Sequence, residues 1–151
     1  MATYDSTYEP SHFGLCVSDL DRSVRFYTEG LGFEVAERYD LDSAEMPGLD
    51  KALEVEGRTD IVSLFIRKGG MAIELLHYKS PGVVGAPSAH RNQLGLTHLS
   101  FYVDDVDQAA ARLVEAGGTI LPDTRQSAGI LLMFVADPDG VRVELMSNEG
   151  R

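Results

Sequence analysis

Two stretches of this chain begin with histidine and match in register, His12-Phe-Gly-Leu-Cys-Val17-Ser-Asp19-Leu-Asp21 and His98-Leu-Ser-Phe-Tyr-Val103-Asp-Asp105-Val-Asp107. A second match closes each copy, with Gly70-Met-Ala-Ile-Glu74-Leu75 lying over Gly140-Val-Arg-Val-Glu144-Leu145. An internal repeat of this length predicts two copies of one supersecondary unit. We therefore predict a single domain over 1–151, made of a module at 11–79 and a module at 96–148.

Composition limits the classes of function. At 151 residues the chain is long enough for one compact domain with a buried core. The net charge of −11 and the 13 scattered basic residues argue against nucleic acid as a partner, because a phosphate backbone requires clustered lysine and arginine. No stretch is apolar enough to span a membrane, and the N-terminus lacks the features of a signal peptide. Cys16 is the only cysteine, so no internal disulfide can form, which favours a cytoplasmic location.

Hydrophobic periodicity predicts the same order of elements in both copies. The first copy is predicted to contain a strand at 12–18, a helix at about 20–31 with Asp19 as its N-cap, and strands at about 33–39, 61–67 and 71–78. The second is predicted to contain a strand at 97–103, a helix at 105–116 that begins with Asp105, and strands at about 119–121, 130–136 and 141–147. Each copy is a βαβββ unit. We therefore predict an α+β fold in which two such modules pair into a curved cleft of mixed sheet.

Alternation along the strands decides which side chains share a face. One face of each strand is apolar and suited to packing on a helix. The mixed faces carry His12, Glu74, Tyr78, His98, Tyr102, Arg142 and Glu144. Of these, Arg142, Tyr102 and Tyr78 are predicted to contact the substrate, with Arg142 available for an anionic group. His77 falls on the opposite face from Glu74, so it is expected to be structural, like His90 in the connecting segment.

The two histidines and two glutamates that recur at equivalent points are candidate metal ligands: His12, Glu74, His98 and Glu144. Two imidazoles and two carboxylates form a ligand set suited to Zn, Ni, Co, Mn or Fe. The sequence therefore predicts one divalent metal per site, held by ligands that converge from two modules.

The copies differ in one segment. The first has additional residues that fall mainly in 41–59, where Met46, Leu49 and Leu53 provide apolar side chains. Two interpretations stay open for this loop: a lid or specificity loop, or a segment that covers a sheet edge or a dimer contact. The segment 79–95 contains several prolines and glycines, which indicates a connector between the copies.

Two segments carry a resemblance to a known family. Asp19-Leu-Asp-Arg-Ser-Val-Arg-Phe-Tyr-Thr-Glu-Gly-Leu-Gly-Phe33 is similar to the first helix of the vicinal oxygen chelate superfamily, and Phe134-Val-Ala-Asp-Pro-Asp-Gly-Val-Arg-Val-Glu-Leu145 to its last hairpin in a glyoxalase-like form. That superfamily includes glyoxalase I, methylmalonyl-CoA epimerase, extradiol dioxygenases, and fosfomycin- and bleomycin-resistance proteins. The resemblance covers about 11–147 and implies the glyoxalase fold.

The order of ligands narrows the resemblance to glyoxalase I-type metalloenzymes. Those enzymes carry His or Gln, then Glu, His and Glu, and this order is matched by His12, Glu74, His98 and Glu144. Epimerases of the superfamily typically have Gln at the second position, and the dioxygenases leave it free. The chain departs from glutathione-dependent glyoxalase I at Cys16, where arginine is typical, and at 76–79, where a Thr-x-Asn-Trp-Gly-like run is typical. Whether glutathione or another thiol compound carries the substrate therefore stays open.

The resemblance implies a lyase or isomerase that removes a proton next to a carbonyl group of a small-molecule substrate. Glu144 is the expected base and Glu74 is the second candidate. A homodimer is expected, and whether the four ligands come from one chain or two stays open, as do the substrate and the native metal. Three alternatives are a methylmalonyl-CoA epimerase-like isomerase, a mononuclear Fe(II) dioxygenase that uses His12, His98 and Glu144, and a non-catalytic small-molecule binding or resistance protein.

Overall fold

The computed structural model describes residues 7–149 and contains two modules of the same design. The first consists of β1 (Phe13–Cys16), α1 (Leu20–Arg25) continued by a π-helical turn (Phe26–Gly30), β2 (Glu34–Asp42), α2 (Leu49–Ala52), β3 (Asp60–Lys68) and β4 (Met71–Ser80). The second consists of β5 (Leu99–Val103), α3 (Val106–Glu115), β6 (Thr119–Gln126), β7 (Leu132–Ala136) and β8 (Arg142–Ser147). The predicted α+β class and the repeated βαβββ order are confirmed.

Each module forms one four-stranded mixed sheet. The strand order is β1-β4-β3-β2 in the first sheet and β5-β8-β7-β6 in the second. β1 runs parallel to β4 and β5 runs parallel to β8, and the other neighbours are antiparallel. Within residues 7–149, β1 and β5 therefore each have one hydrogen-bonded neighbour and one open edge.

Two aspartates begin the main helices. The carboxylate of Asp19 accepts a hydrogen bond from the N–H of Arg22 at 2.9 Å, at the start of α1. The carboxylate of Asp105 accepts one from the N–H of Gln108 at 2.9 Å, at the start of α3. Such side chains satisfy N–H groups that a helix leaves unpaired, so both predicted N-caps are confirmed. Gly32 follows the first helix with a φ of +75°, a left-handed conformation that favours glycine.

The helices lie against the apolar faces of the two sheets and against each other, which produces one core shared by both modules. Almost completely buried side chains on those sheet faces include Ile73, Leu75, Val143 and Leu145. The modules meet where Gly30 approaches α3. A Cβ atom at Gly30 would lie 2.9 Å from a methyl carbon of Leu113, so any larger residue would force the Leu113 side chain to move. The opposite sheet faces are left for the polar side chains.

Three local features differ from the sequence prediction. The helix predicted at 20–31 changes from α to π geometry at Phe26, where the N–H of Leu31 donates to the Phe26 carbonyl. Strand β6 extends beyond the predicted 119–121, because its register with β7 continues to Gln126. The insertion 41–59 contains the end of β2 and the short helix α2, which the sequence did not predict. No helix within residues 7–149 is long and apolar enough to cross a membrane.

Candidate functional site

The first histidine–glutamate pair lies on the polar face of the first sheet. His12 directly precedes β1, and its Nε2 lies 3.1 Å from Oε2 of Glu74 on the neighbouring strand β4. Gly14 is the partner of Glu74 in the register of these strands, so no side chain stands between the pair there. The other carboxylate oxygen of Glu74 accepts a 2.5 Å hydrogen bond from Ser63, which is only 2% exposed. This buried hydroxyl fixes the orientation of the carboxylate.

The second pair repeats this arrangement in the second sheet. His98 directly precedes β5, and its Nε2 lies 3.3 Å from Oε2 of Glu144 on β8. Here Ser100 is the register partner of Glu144, and its hydroxyl donates a 2.8 Å hydrogen bond to the same Oε2. The two glutamates therefore differ in which carboxylate oxygen is hydrogen-bonded to serine.

A hydroxyl group lies beside Nδ1 of each histidine. The Ser11 hydroxyl is 2.8 Å from Nδ1 of His12, and the Thr97 hydroxyl is 2.6 Å from Nδ1 of His98. When Nδ1–H donates to such an oxygen, Nε2 keeps its lone pair for a metal ion. These hydroxyls are therefore in the position that sets the tautomer required of a histidine ligand.

A phenylalanine supports each histidine ring edge-on. Phe65 and His12 have ring centroids 4.9 Å apart at an angle of 79°, and Phe134 and His98 have centroids 5.3 Å apart at 86°. Each phenylalanine is the antiparallel register partner of the glutamate in its own pair. The aromatic rings thus restrict the histidine orientation in the same way in both modules.

The geometry of each pair fits two neighbouring ligands of a divalent metal. Ligand atoms about 2.1 Å from a metal and at right angles to one another are about 3 Å apart, which agrees with the observed 3.1 Å and 3.3 Å. Within residues 7–149, no group of three or more His, Cys, Asp or Glu side chains is close enough to hold a metal ion. The chain therefore brings the four predicted ligands together as two separate pairs, His12 with Glu74 and His98 with Glu144, and does not gather all four in one cluster.

The predicted substrate-contacting residues have different surroundings. Arg142 donates hydrogen bonds to the backbone carbonyls of Ser88 (2.9 Å) and Ala89 (2.8 Å) in the connector, so its guanidinium is occupied in holding that segment. Tyr102 is half exposed on β5. Tyr78 lies near Glu74, and its pKa is raised first by burial and then by the negative charge of neighbouring groups.

Residues assigned a structural role also have identifiable surroundings. Nδ1 of His77 lies 3.1 Å from the backbone carbonyl of Val17, on the β1 side of β4, away from Glu74. Cys16 is exposed as a whole residue, but its thiol is partly covered. This partial burial raises the thiol pKa, and the negative charge of Asp139 raises it further. A raised thiol pKa leaves less thiolate at neutral pH, which does not favour a nucleophilic role.

Sequence reasoning missed the residues that contact the predicted ligands, and a signal for some of them was present. Ser11 and Thr97 directly precede the two histidines at the same repeat offset. Phe65 and Phe134 precede the two glutamates by nearly equal spacings that differ by one residue in the intervening turn. Arg91, which stacks on Phe134, has no counterpart in the repeat and left no such signal.

The family model described as "Glyoxalase/Bleomycin resistance protein/Dioxygenase superfamily" matches residues 10–145. The chain belongs to this superfamily. Lactoylglutathione lyase of Schizosaccharomyces pombe is 28% identical over 152 residues, which is 94% of this chain and 48% of that protein. The chain thus spans about half the length of that relative.

Two further superfamily relatives bear on the fold and the reaction. The 2-epi-5-epi-valiolone epimerase of an Actinomyces species is 30% identical over 149 residues, covering 90% of this chain and 77% of the epimerase. A solved structure of a glyoxalase family protein from Bacillus cereus superposes with a TM-score of 0.73 over 97% of each chain at 22% identity. The structural likeness establishes the glyoxalase fold, while the named relatives include both a lyase and an epimerase.

Proposed function

We propose that this superfamily member is a metal-dependent lyase or isomerase of glyoxalase I type that acts on a small carbonyl compound. The observation that carries the proposal is the repeated pair, in which Nε2 of a histidine faces a glutamate carboxylate at 3.1 Å and 3.3 Å. The similarity to lactoylglutathione lyase supports the same class of reaction.

We further propose that each metal site combines a pair from one chain with the opposite pair from a second copy. Each pair supplies two ligands, and residues 7–149 of a single chain contain no larger ligand group. The open edges of β1 and β5 lie directly after His12 and His98, so an additional sheet can approach there. Exposed apolar side chains are available for such a contact at Phe13, Leu94 and Leu96. A two-fold dimer built this way contains two complete sites, which is one metal per chain.

Glu144 is the proposed base because one of its oxygens is open. Its Oε2 faces His98 and accepts the Ser100 hydroxyl, whereas its Oε1 accepts no hydrogen bond from residues 7–149. In Glu74 the corresponding second oxygen is held by the buried Ser63. Glu74 is thus the more firmly held ligand, and Glu144 has the freedom that proton transfer requires.

Proton transfer by Glu144 accounts for both a lyase and an isomerase reaction. A bound divalent metal supplies Lewis acidity, which makes a proton next to a carbonyl group easier to remove. Glu144 takes this proton, the electron pair of the C–H bond moves towards the carbonyl, and the protonated Glu144 returns the proton to the neighbouring carbon. For inversion, a protonated Glu74 would instead donate its own proton to the opposite face of the same carbon, and Glu144 would keep the proton that it removed.

An epimerase is the second candidate, and it is favoured by the 30% identity to the Actinomyces epimerase. The two reactions differ in where the proton is delivered. Turnover of a chiral carbonyl substrate in deuterium oxide, followed by mass spectrometry and chiral chromatography, separates them. Inversion with deuterium at the same carbon indicates an epimerase, and deuterium at the neighbouring carbon indicates a glyoxalase-type isomerase. Oxygen uptake without deuterium incorporation would overturn both and support the dioxygenase.

A complementation experiment tests the proposed metal site without knowledge of the substrate. His12→Ala and His98→Ala chains are co-expressed with different affinity tags, and the heterodimer is purified with both tags. In the proposed dimer the heterodimer keeps one intact site and one site that lacks both histidines. We expect about half of the wild-type metal content in the heterodimer and a large loss in each homodimer.

A matched control uses two changes in the same pair. A heterodimer of His12→Ala with Glu74→Ala has no intact site, because each site receives one damaged first-module pair. Its metal content should stay as low as that of the homodimers. Equal metal content in the two heterodimers would show that the sites do not combine chains. Wild-type metal content in both single variants would overturn the metal site itself.

A further inference from the structure

Arg91 differs from every other described arginine in its lack of a polar partner. Nine arginines lie between residues 7 and 149. Eight of them donate a hydrogen bond to a carboxylate or a backbone carbonyl. Arg91 makes no hydrogen bond or ion pair with any residue in this part of the chain, and its guanidinium lies over an aromatic ring. In a chain with 24 acidic and 13 basic residues, such an unpaired guanidinium is unusual.

This guanidinium lies beside the second histidine–glutamate pair. Its central carbon is 3.2 Å from the ring centroid of Phe134. The same ring supports His98 edge-on and is the register partner of Glu144. Arg91 is therefore separated from the pair by a single aromatic ring, and stacking fixes the plane of its guanidinium.

Among the described residues, no cation in the first module is both beside the equivalent phenylalanine and free of an acidic partner. The nearest counterpart is Arg67, whose guanidinium carbon lies 6.0 Å from the Phe65 centroid and whose N–H groups bind Glu37. The two halves of the proposed site are thus alike in their metal ligands and different in their charge. An asymmetric substrate with one charged end would be oriented by this difference.

Two charged groups act on Arg91 from the same region, Arg142 and Glu144. The pKa of Arg91 is lowered first by burial and next by the positive charge of Arg142, and it is raised by the negative charge of Glu144, although an arginine remains protonated at any physiological pH. Arg142 is hydrogen-bonded to the connector that carries Arg91, so the two like charges are held near each other. A monoanion would relieve this repulsion. A carboxylate matches the single free guanidinium, because its two oxygens can accept two parallel N–H bonds.

We propose that Arg91 binds a carboxylate group of the substrate and so determines both substrate charge and substrate orientation at the His98–Glu144 pair. The inference rests on the proposed function for the position of the reacting carbon. It assigns the substrate to carbonyl compounds that carry a carboxylate on a short arm, and it assigns the charged end to the connector side of the second sheet.

Two hydroxamates that differ only in charge provide the test. Both chelate a divalent metal through the same group, and one carries a carboxylate on a short arm where the other carries an amide. Isothermal titration of the metal-loaded protein should show the carboxylate compound binding about 10- to 100-fold more tightly, the range for hydrogen bonds to charged groups. In Arg91→Gln the two affinities should become nearly equal, and Arg91→Lys should keep part of the preference. Arg38→Gln, which removes an exposed arginine paired with Asp40, should keep all of it.

The proposal is overturned if Arg91→Gln prefers the carboxylate compound as strongly as wild type does. Such a result would mean that Arg91 only covers Phe134 and does not bind the charged group. A second measurement does not depend on metal. The chelator-treated protein is labelled with butanedione and mapped by mass spectrometry, with succinate or its uncharged diamide present. Protection of Arg91 by succinate alone supports the proposal even if no metal binds and the proposed function fails. Equal labelling of Arg91 with and without succinate overturns the proposal while leaving the metal chemistry intact.

Discussion

The hydroxyl of Tyr27 donates a 2.9 Å hydrogen bond to the carboxylate of Asp137, and these residues belong to different modules. Tyr27 is completely buried and Asp137 is 3% exposed. Asp137 also accepts the N–H groups of Asp139 and Val141 in the turn before β8. The pair therefore connects the first helix of one module to the β7–β8 turn of the other, close to the strand that carries Glu144.

Removal of the tyrosine hydroxyl should destabilise the fold. Tyr27→Phe deletes the donor and leaves the buried Asp137 carboxylate one hydrogen bond short. We expect the free energy of unfolding to fall by about 1–3 kcal/mol, the range for leaving a buried hydrogen-bonding group without its partner. Urea denaturation followed by circular dichroism measures this change. Tyr39→Phe, on the half-exposed Tyr39, should change it by less than about 0.5 kcal/mol. Equal effects of the two changes would show that the buried pair contributes nothing specific.

The pH dependence of stability should reveal the burial of Asp137. Burial raises the pKa of this carboxyl group, and its hydrogen bonds oppose that shift only in part. Between the ordinary aspartate pKa and the raised one, the folded chain holds more protons than the unfolded chain. The contribution of Asp137 to stability is therefore present at acid pH, and it is lost as the pH rises through the pKa that Asp137 has in the folded chain. The exposed Asp40 and Asp107 and the half-buried Asp42 have lowered pKa values and act in the opposite direction.

Asp137→Asn isolates the contribution of this one group. Asparagine keeps the size of the side chain and removes its titration. We expect the stability of wild type relative to Asp137→Asn to be greater at acid pH and to decrease as pH rises towards neutrality. Denaturation of both proteins across that range measures the difference. A stability difference that does not depend on pH would contradict a raised pKa at Asp137.

The repeat explains why the fold and the position of each candidate glutamate on a polar strand face were predictable from sequence. Two-residue alternation placed Glu74 and Glu144 on the polar faces of their strands, opposite the buried Ile73 and Val143. Those faces are set by whether a side chain can leave water, and this property is readable from residue type. The same reasoning assigned Asp19 as a helix cap, which the structure confirms.

Alternation along the strands did not predict that the two histidine–glutamate pairs are separate, nor that the connector contacts the site. Sequence periodicity describes each sheet, but the distance between two sheets depends on how the helices of both modules pack. That packing depends on close approaches such as Gly30 against Leu113. Arg142 was predicted to contact the substrate, which stays a prediction. The sequence did not predict that its guanidinium binds connector carbonyls, because an irregular segment supplies acceptors that no strand pattern reveals.

Metal content should depend on both histidines of the repeat and not on a third. We expect elemental analysis to find about one divalent metal per chain in wild type, and much less in His12→Ala and in His98→Ala. His77→Ala should keep the wild-type content, because Nδ1 of His77 faces the Val17 carbonyl instead. Unchanged metal in both His12→Ala and His98→Ala would remove the metal from the proposed function.

The hydroxyl beside His98 should tune metal affinity without being a ligand. Thr97→Val keeps the shape of the side chain and removes the oxygen that lies 2.6 Å from Nδ1 of His98. Loss of such an orienting partner typically weakens metal binding about 10- to 100-fold. Competition with a chelator measures the change. Thr119→Val, at an exposed threonine on β6, is the control and should bind metal like wild type. An unchanged affinity in Thr97→Val would mean that the Phe134 contact alone orients the ring.

Glu144→Gln should separate catalysis from folding. The amide keeps the shape of the side chain and can still accept the Ser100 hydrogen bond, but it cannot take up a proton. Turnover should fall by about 10²–10⁴-fold, the usual contribution of a general base. Thermal stability should change little, because Glu144 lies on the polar face of β8 and not with the buried Val143 and Leu145.

Glu74→Gln and Glu115→Gln supply the comparison for the Glu144 variant. Glu74→Gln should reduce turnover less, because Glu74 is proposed as a metal ligand whose carboxylate is fixed by a hydrogen bond from Ser63. Glu115→Gln, at an exposed position, should have no effect on turnover. Metal content is measured in each variant, so that a lost ligand is not mistaken for a lost base. Solvent deuterium exchange into a turned-over carbonyl substrate gives the direct readout. If Glu144→Gln keeps full activity and exchange while Glu74→Gln loses both, the base is Glu74 and the reacting proton lies on the first-sheet side of the site.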